Sequence, residues 1–579
     1  MKIKLAKTAG FCMGVKRAME IAFFEANKKD DKLFTYGPLI HNQQVLDLLS
    51  NKGVNVINEI GGEEKGRIII RAHGVSPGEK KKLEESKFKV IDATCPRVLK
   101  VQVIIKKYNN KGYLPVIFGD LKHPEVAGLM GYSKGNGTVT NSVDNIEETL
   151  GKDKDRRFVV VSQTTQDAEA YKKFTEKIKE LYPESITFDT VCDETYKRQG
   201  ETKLLASEVD CMVVVGGKNS GNTKRLFEIS KSMSKPAFHI ETEKELESTW
   251  FSLVNHIGVT AGASTPNWMI KRVLEKLREI TNGKHHYFEN FVGKIFQFSN
   301  KTTITESVGA FSLTYAGIAL VGSVKPIVYP VIAMLYVYGM HVLNRFLDKE
   351  PNKYNDPRRA FFYSKNKGFL VVSSLAGITA GLILSLSLGL IQLLLFAGLT
   401  MLGLAYSIPI IPWKSKYLGR YSKIKDLPGS KDLTEALAWG TISSFLPVVG
   451  VKGVFWPGVF ASFFFVSSMC YIRTGFFNIL NIQGDVIVGK ETLPIALGEK
   501  RAFNLLMMVN SIFTLMLLFS AITGVVTKLG YFLMVCFCVS FYYLIAYKKD
   551  YISDEYILNG IVEFNLLLAG IIAFVWGLY

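Results

Sequence analysis

YLPVIFG, residues 113–119, is a short apolar run closed by a glycine, and RIIIRA (67–72), FVVVSQ (158–163) and CMVVVGG (211–217) repeat the pattern. Between these runs lie charged stretches of helical character. Apolar runs of this length that alternate with helices read as parallel strands joined by helical crossovers. The first half of the 579-residue chain is therefore expected to be α/β, in three lobes of similar size.

Working outward from the strands, Cys12 in AGFCMGVKRA, Cys95 in DATCPRV and Cys192 in TVCDETYKRQ lie nearly evenly through this half. Each sits in a segment marked by Gly, Pro or Thr. Thiolates are the natural ligands of iron–sulfur clusters, which usually take four protein ligands, so three cysteines leave one iron free to bind a substrate. The alternative is three unrelated buried thiols, the commoner fate of scattered cysteines. Cys211 lies inside the strand-like run CMVVVGG and is expected to be core. The N-terminal MKIKLAKTAG lacks the apolar stretch of a signal peptide, and reduced metal-binding thiols imply a cytosolic compartment for this half.

Eight short motifs surround these cysteines: GFCMGV (10–15), YGPLIHN (36–42), RAHGVSP (71–77), DATCP (92–96), HPEVAGLMG (123–131), SQTT (162–165), KNSGNTKRL (218–226) and GASTPNW (262–268). In this order they resemble the LytB/IspH family, the 4-hydroxy-3-methylbut-2-enyl diphosphate reductases, over roughly the first 280 residues. The resemblance implies a three-lobed α/β domain holding a 4Fe–4S cluster through Cys12, Cys95 and Cys192. A ferredoxin- or flavodoxin-like protein is then the expected electron donor.

Reductive removal of an allylic hydroxyl needs electrons, a Lewis acid for the departing oxygen, a proton source and a cradle for the diphosphate. His41, His73 and His123 each sit in a turn-like motif, and imidazoles, hydroxyls and amides grip diphosphates by several hydrogen bonds at once. Ser220, Asn222 and Ser264 match the family's phosphate-binding residues. Glu125 matches its proton donor, and a carboxyl group in a closed pocket beside an anion is expected to hold its proton more tightly. Thr164 matches the threonine that orients the substrate hydroxyl and relays the proton. Singly, each of these is more often a surface or capping residue, and Glu125 an ordinary acid at a helix start. Two positions depart from the family: Gly221 replaces a second serine of the phosphate motif, and Asp193-Glu194 follow Cys192 where small or aromatic residues are usual.

From about residue 305 the chain changes character. Nine apolar stretches, near 305–322, 326–343, 368–388, 390–411, 434–450, 453–472, 503–526, 529–547 and 557–578, have lengths suited to crossing a hydrocarbon layer. A soluble core explains any short one, but not nine in succession. The loop at 344–367 carries seven Lys/Arg, that at 413–433 six and that at 473–501 four, whereas the alternate loops hold only Lys325, Lys452 and Lys528. The basic side is expected to be cytoplasmic, which places the first half inside a cell membrane crossed many times. The net charge of +18 then needs no nucleic-acid partner, and no nucleic-acid-binding motif appears.

The basic loops contain NRFLDKEPNKYNDPRR (344–359) and NILNIQGDVIVGKETLPIALG (478–498), with YSIPIIP (406–412) and KDLPGSKDL (425–433) between them. These resemble the UbiA superfamily of membrane prenyltransferases. The resemblance implies two Asp-rich motifs that hold Mg²⁺ on a prenyl diphosphate, with Asp348 and Asp485 as ligands, Asn344, Asn352 and Asn481 as weaker ones, and Arg358 and Lys490 on the diphosphate. Magnesium favours carboxylate oxygen and water, yet Arg345, Asn352, Asn478 and Asn481 stand where aspartates are usual. Lys353, Arg358, Arg359 and Lys490 are the groups that could replace part of the lost cation charge; as plain topology-setting charge they need no ligand.

The expected organisation is a reductase domain at 1–282, a linker at 283–304 and an all-α, nine-helix transmembrane prenyltransferase-like domain at 305–579. Isoprenoid diphosphates are the expected substrates and membrane lipid the expected surrounding. The competing reading is the same reductase tethered to the membrane by a catalytically silent bundle.

Overall fold

The computed structural model describes residues 2–28, 31–60, 65–144, 146–151, 155–233, 235–281, 302–322, 326–347, 354–406, 427, 429–490, 492–549, 551–552 and 555–578. The chain divides into two units, Met1–Lys284 and His285–Tyr579. Most of the expected linker falls on residues 282–301, which lie outside the described residues.

In the first unit the strands are β1 (Lys2–Leu5), β2 (Leu33–Tyr36), β3 (Val54–Ile57), β4 (Gly66–Ile70), β5 (Phe88–Asp92), β6 (Leu114–Phe118), β7 (Thr138–Thr140), β8 (Phe158–Ser162), β9 (Ile186–Thr187), β10 (Cys211–Val215), β11 (Ala237–Ile240) and β12 (His256–Ala261). Among the described residues they form three four-stranded sheets, ordered β1-β12-β10-β11, β3-β2-β4-β5 and β7-β6-β8-β9. Every pairing is parallel, with registers such as Ile68 opposite Val90 and Val116 opposite Val160. The central strands β8 and β10 are fully buried and β4 is buried from Arg67 onward, which is why they read as apolar runs rather than as alternations. Cys211 packs inside β10 as core.

The lobes are not consecutive thirds of the sequence, because β1 pairs with β12 and so belongs with residues 211–261. A four-residue strand with the pattern KIKL carries too little signal to show which sheet it will complete.

Helices begin directly after the strand ends, and the starts are well capped. Ser76 and Glu79 form a capping box with Pro77 in the first turn, and Asn42, Asp167 and Ser220 cap the helices Gln43–Asn51, Ala168–Leu181 and Gly221–Ser232. The topology of a parallel sheet thus delivers strand-to-helix turns to one end of each lobe, where ligands bind in open α/β sheets.

The second unit is helical. Its long helices are Ile304–Leu320, Val328–Leu347, Lys367–Leu388, Leu390–Ala405, Ser430–Ser444, Trp456–Leu480, Glu499–Ile522, Leu529–Lys548 and Glu555–Trp576, one for each apolar stretch. They pack largely in chain order, and the first lies against the last. Five described helices are long and apolar enough to cross a membrane. Leu375, Ile383, Leu515 and Phe519 on two of them face outward from the bundle, as lipid contact requires and a water-soluble core forbids. Trp456–Leu480 is instead the central helix, with most of its length enclosed by neighbours.

Small residues let the helices close on one another: a Cβ on Gly570 would lie 2.6 Å from the Cβ of Ser312. Interhelical hydrogen bonds add to this packing. Thr314 and Ser443 share one at 2.8 Å, and Asn565 Nδ2 donates to the Cys536 carbonyl at 3.0 Å.

Candidate functional site

The three cysteines occupy equivalent places. Cys12 caps Met13–Asn27, Cys95 caps Pro96–Asn109 and Cys192 caps Asp193–Glu208, each at the turn between a sheet and the helix that follows. Helix N-termini present unpaired N–H groups and favour negative charge, so these turns suit thiolates. All three thiols are free and line one cavity of about 820 Å³, its open mouth included. Burial pushes the Cys12 and Cys95 thiols up, against the opposing effect of backbone N–H groups at the helix starts and, for Cys12, of the Arg198 charge. Gly14 permits the convergence, since a Cβ there would lie 2.5 Å from Cys95 Sγ.

The remaining expected residues line the same cavity: His41, His73, His123, Glu125, Thr164, Ser220, Asn222 and Ser264. The imidazoles form a triangle with ring centroids 4.8, 5.4 and 5.6 Å apart. Burial holds all three below the usual histidine range, His123 at about 4, so they are neutral at pH 7. His123 Nδ1 accepts the Glu125 N–H at 3.1 Å as the cap of Pro124–Met130. Its Nε2 is then the N–H end of the ring. His41 Nε2, His73 Nδ1 and Asn222 Nδ2 are buried without hydrogen-bond partners among the described residues. Three such orphans in one cavity are costly unless a ligand rich in acceptors occupies it. Ser264 Oγ reaches the His41 carbonyl at 3.3 Å and ties the cradle together.

Glu125 is almost wholly enclosed. Burial pushes its carboxyl up to about 7, against the opposing effect of hydrogen bonds from Thr164. Thr164 N–H donates to Oε1 at 2.7 Å and its hydroxyl to Oε2 at 2.9 Å. This arrangement can hold a proton at neutral pH and pass it through a hydroxyl.

The two departures from the family pattern also have places. A Cβ on Gly221 would meet only His123 Cδ2, at 4.0 Å, so the site has room where a serine is usual. Asp193 pairs with Arg97, joining the helix starts that carry Cys192 and Cys95. Arg198 went unread in the sequence. It is buried in the cavity wall, donates to the Ala261 carbonyl at 2.6 Å and acts electrostatically on Cys12 and Cys192. Nothing in the polar run YKRQGETK distinguishes it from a solvated helix face.

The donor set fits a 4Fe–4S cluster: three free thiols at separate helix starts, a buried guanidinium to offset thiolate charge, and an adjoining polar cradle.

In the helical unit, Asp485 is buried and accepts from Asn355 Nδ2 at 3.0 Å. Gly484 allows that approach, because a Cβ there would collide with Asn355 Oδ1 at 1.8 Å. Asn478 bonds to Asp432, Asn481 caps Ile482–Val488, and Lys490 N–H bonds the Asp485 carbonyl at 2.9 Å. Asn344 is partly buried on Val328–Leu347. Asp348, Asn352 and Lys353, and the side chain of Arg358, lie outside the described residues.

Arg345, where an aspartate is usual, donates to buried Glu306 at 2.7 Å, and Arg359 donates to both oxygens of the same carboxylate at 3.1 Å. Arg359 is therefore committed to Glu306. Arg473 pairs with Glu563 at 3.1 Å through Nε and lies 3.7 Å from Glu435. The sequence signal for this network was a handful of charges within or beside apolar helices, which mark functional or structural pairing because they are expensive in lipid.

A family model described as LytB protein matches residues 3–278. The 4-hydroxy-3-methylbut-2-enyl diphosphate reductase of Geobacter sulfurreducens (strain ATCC 51573 / DSM 12127 / PCA) is 45% identical over 284 residues, covering 49% of this chain and 99% of that protein. The enzyme of the same name from Clostridioides difficile (strain 630) is 40% identical over 281 residues, 48% of this chain and 100% of that protein. A solved (E)-4-hydroxy-3-methyl-but-2-enyl diphosphate reductase is 41% identical, covers 48% of this chain and 100% of its own, and gives a TM-score of 0.39. Over the C-terminal region, a UbiA homolog from Archaeoglobus fulgidus bound to GPP and Mg²⁺ is 16% identical, with 48% and 99% coverage and a TM-score of 0.36.

Proposed function

Through its N-terminal half this chain belongs to the LytB family, and from that membership we propose a 4-hydroxy-3-methylbut-2-enyl diphosphate reductase joined to a membrane-embedded prenyltransferase. The observation that carries the reductase reading is the trio of orphaned polar atoms on His41, His73 and Asn222 in the cavity that also holds the three thiols and Glu125.

The substrate's diphosphate offers acceptor oxygens on all sides. The imidazoles, the Asn222 amide and the hydroxyls of Ser220 and Ser264 grip it, and neutral imidazoles do so without an added charge to desolvate. A 4Fe–4S cluster held by Cys12, Cys95 and Cys192 would supply electrons and an open iron as Lewis acid for the departing oxygen. In the reaction the allylic C–O bond breaks as one proton goes to the oxygen, which leaves as water, and the allyl fragment takes up two electrons and a second proton to form a C–H bond.

Glu125 holds the proton for this chemistry. Once Glu125 is protonated, the hydrogen bond to Thr164 reverses: the carboxyl donates to the Thr164 hydroxyl, which frees its own hydrogen for the substrate oxygen. The apolar wall formed by Val15, Ile40 and Ala72 restricts water around that transfer. A one-electron carrier of the ferredoxin or flavodoxin type completes the cycle. The direct check is anaerobic turnover by the full chain in detergent, with loss of activity in Glu125→Gln; substrate binding without any turnover would sink the reading.

For the helical unit, the GD…GKETLP stretch with its buried Asp485 and the outward-facing apolar helices support prenyl transfer to an aromatic or lipid acceptor with Mg²⁺. The basic loops support a many-pass membrane protein with the thiol-bearing unit on the cytoplasmic side. Asp485→Ala is expected to abolish Mg²⁺-dependent incorporation of labelled prenyl diphosphate into membranes while reductase turnover persists. If the intact chain transfers no prenyl group, the helical unit is a tether.

A further inference from the structure

The helical unit is short of carboxylates where the prenyl-transfer reading needs them, and position 478 is an asparagine. We propose that Asp432, on the helix Ser430–Ser444, supplies the carboxylate that position 478 lacks and ligates a divalent cation together with Asp485. This inference rests on the prenyl-transfer reading and adds a ligand that no resemblance assigned.

Three observations carry it. Asp432 is 1% exposed, and its Oδ1 accepts a hydrogen bond from Asn478 Nδ2 across the helix interface. Its Oδ2 is buried with no hydrogen-bond partner among the described residues. A buried carboxylate oxygen without a donor is expensive, and a metal ion removes the cost. Finally, Asn478, which holds Asp432, precedes Asp485 by only seven residues, and Lys490, whose N–H bonds the Asp485 carbonyl at 2.9 Å, acts electrostatically on Asp432.

The chemistry follows from the ligand types. Hard cations such as Mg²⁺ and Mn²⁺ take carboxylate oxygen, amide carbonyl oxygen and water. Asp432 and Asp485 supply two charges, and Asn478 can turn its carbonyl oxygen toward the ion once the ion replaces its present bond. The carboxylate has in effect moved from one helix to the residue it touches on the next. As a mere helix-start acid, Asp432 would stabilise the helix dipole from a solvated position, which its burial contradicts.

The contact between Asp432 and Asn478 allows an exchange test. Mn²⁺ binding to the cluster-loaded full chain in detergent is followed by electron paramagnetic resonance, with Asp485→Ala as the background. Asp432→Asn is expected to weaken binding at least tenfold, on the order of losing one ligand. The double variant Asp432→Asn/Asn478→Asp returns the carboxylate to the other side of the same pair and is expected to restore binding to within about threefold of the original. Restoration also shows that the fold accommodates the exchanged pair. Wild-type affinity in Asp432→Asn, with loss in Asp485→Ala, overturns the inference and leaves the prenyl-transfer reading standing. Loss in both Asp432→Asn and the double variant assigns Asp432 to packing and also overturns it. No Mn²⁺ binding by the unaltered chain overturns both.

Discussion

Replacing Thr164 by Val removes the hydroxyl that donates to Glu125 Oε2 at 2.9 Å while leaving the backbone donor to Oε1 at 2.7 Å in place. The lost bond favours the ionised carboxylate, so its removal must raise the Glu125 pKa further above its present value of about 7. A hydrogen bond to a charged group contributes about 1.5–3 kcal/mol, and one pKa unit corresponds to about 1.4 kcal/mol. Because Glu125 is enclosed, solvent screening does not reduce the effect; because the backbone bond survives, the lower end applies. The basic limb of the rate profile is expected to move from about 7 to about 8. The assay is kcat/KM for the diphosphate substrate across neutral and mildly basic pH, under a chemical reductant and without oxygen. Thr164→Val will also turn over more slowly, since the relay is broken, but the midpoint reports the carboxyl alone. A midpoint that stays put or moves to lower pH refutes the assignment of Glu125 as proton donor.

Stability should carry the same signature. The folded carboxyl titrates near 7 against an ordinary value of 4.5, so the native state binds the extra proton between these values and stability falls as pH rises through that window. Glu125→Gln removes the penalty and is expected to stabilise the first unit by up to about 3 kcal/mol above pH 7, fading below pH 4.5; thermal unfolding at the two extremes measures it, and a pH-independent difference contradicts it. Gly221→Ser adds a hydroxyl where a Cβ meets only His123 Cδ2 at 4.0 Å. One added hydrogen bond of about 1 kcal/mol should lower KM roughly fivefold, and an unchanged or higher KM means the hydroxyl finds no phosphate oxygen. Arg473→Ala strips the partner from buried Glu563 and is expected to cost about 3–5 kcal/mol in the helical unit; size-exclusion profiles after graded heating would show it, and an unshifted midpoint would mean the pair is relaxed by water.

Much of the architecture was legible because it rests on local pattern. The apolar runs containing Ile68–Ile70, Val159–Val161 and Met212–Val215 became central parallel strands, and each long apolar stretch became a helix. Boundaries failed where tertiary pairing overrides hydropathy. Trp456–Leu480 continues to 480 rather than ending near 472, since Arg473 and Asn478 are buried by partners on other helices. The position of β1 beside β12 was invisible because KIKL has no apolar continuity. In the site, the cysteines, histidines and Glu125 were legible as motifs; Arg198 was not, because its role depends on Ala261 and Cys12, far away in the sequence. Asp432 and Glu306 both lie in the first turns of apolar helices, where an acid reads as an ordinary cap and only its tertiary partners distinguish it.

Three thiols supply three of the four protein ligands that a 4Fe–4S cluster usually takes, which leaves one iron open toward the diphosphate cradle. Mössbauer spectra of the full chain, loaded anaerobically with isotope-enriched iron, test it most directly when recorded before and after adding 4-hydroxy-3-methylbut-2-enyl diphosphate. One iron distinct from the rest is expected, and its parameters alone should change when the substrate binds. Irons that are all equivalent and indifferent to substrate, or a chain that binds no cluster, would contradict it.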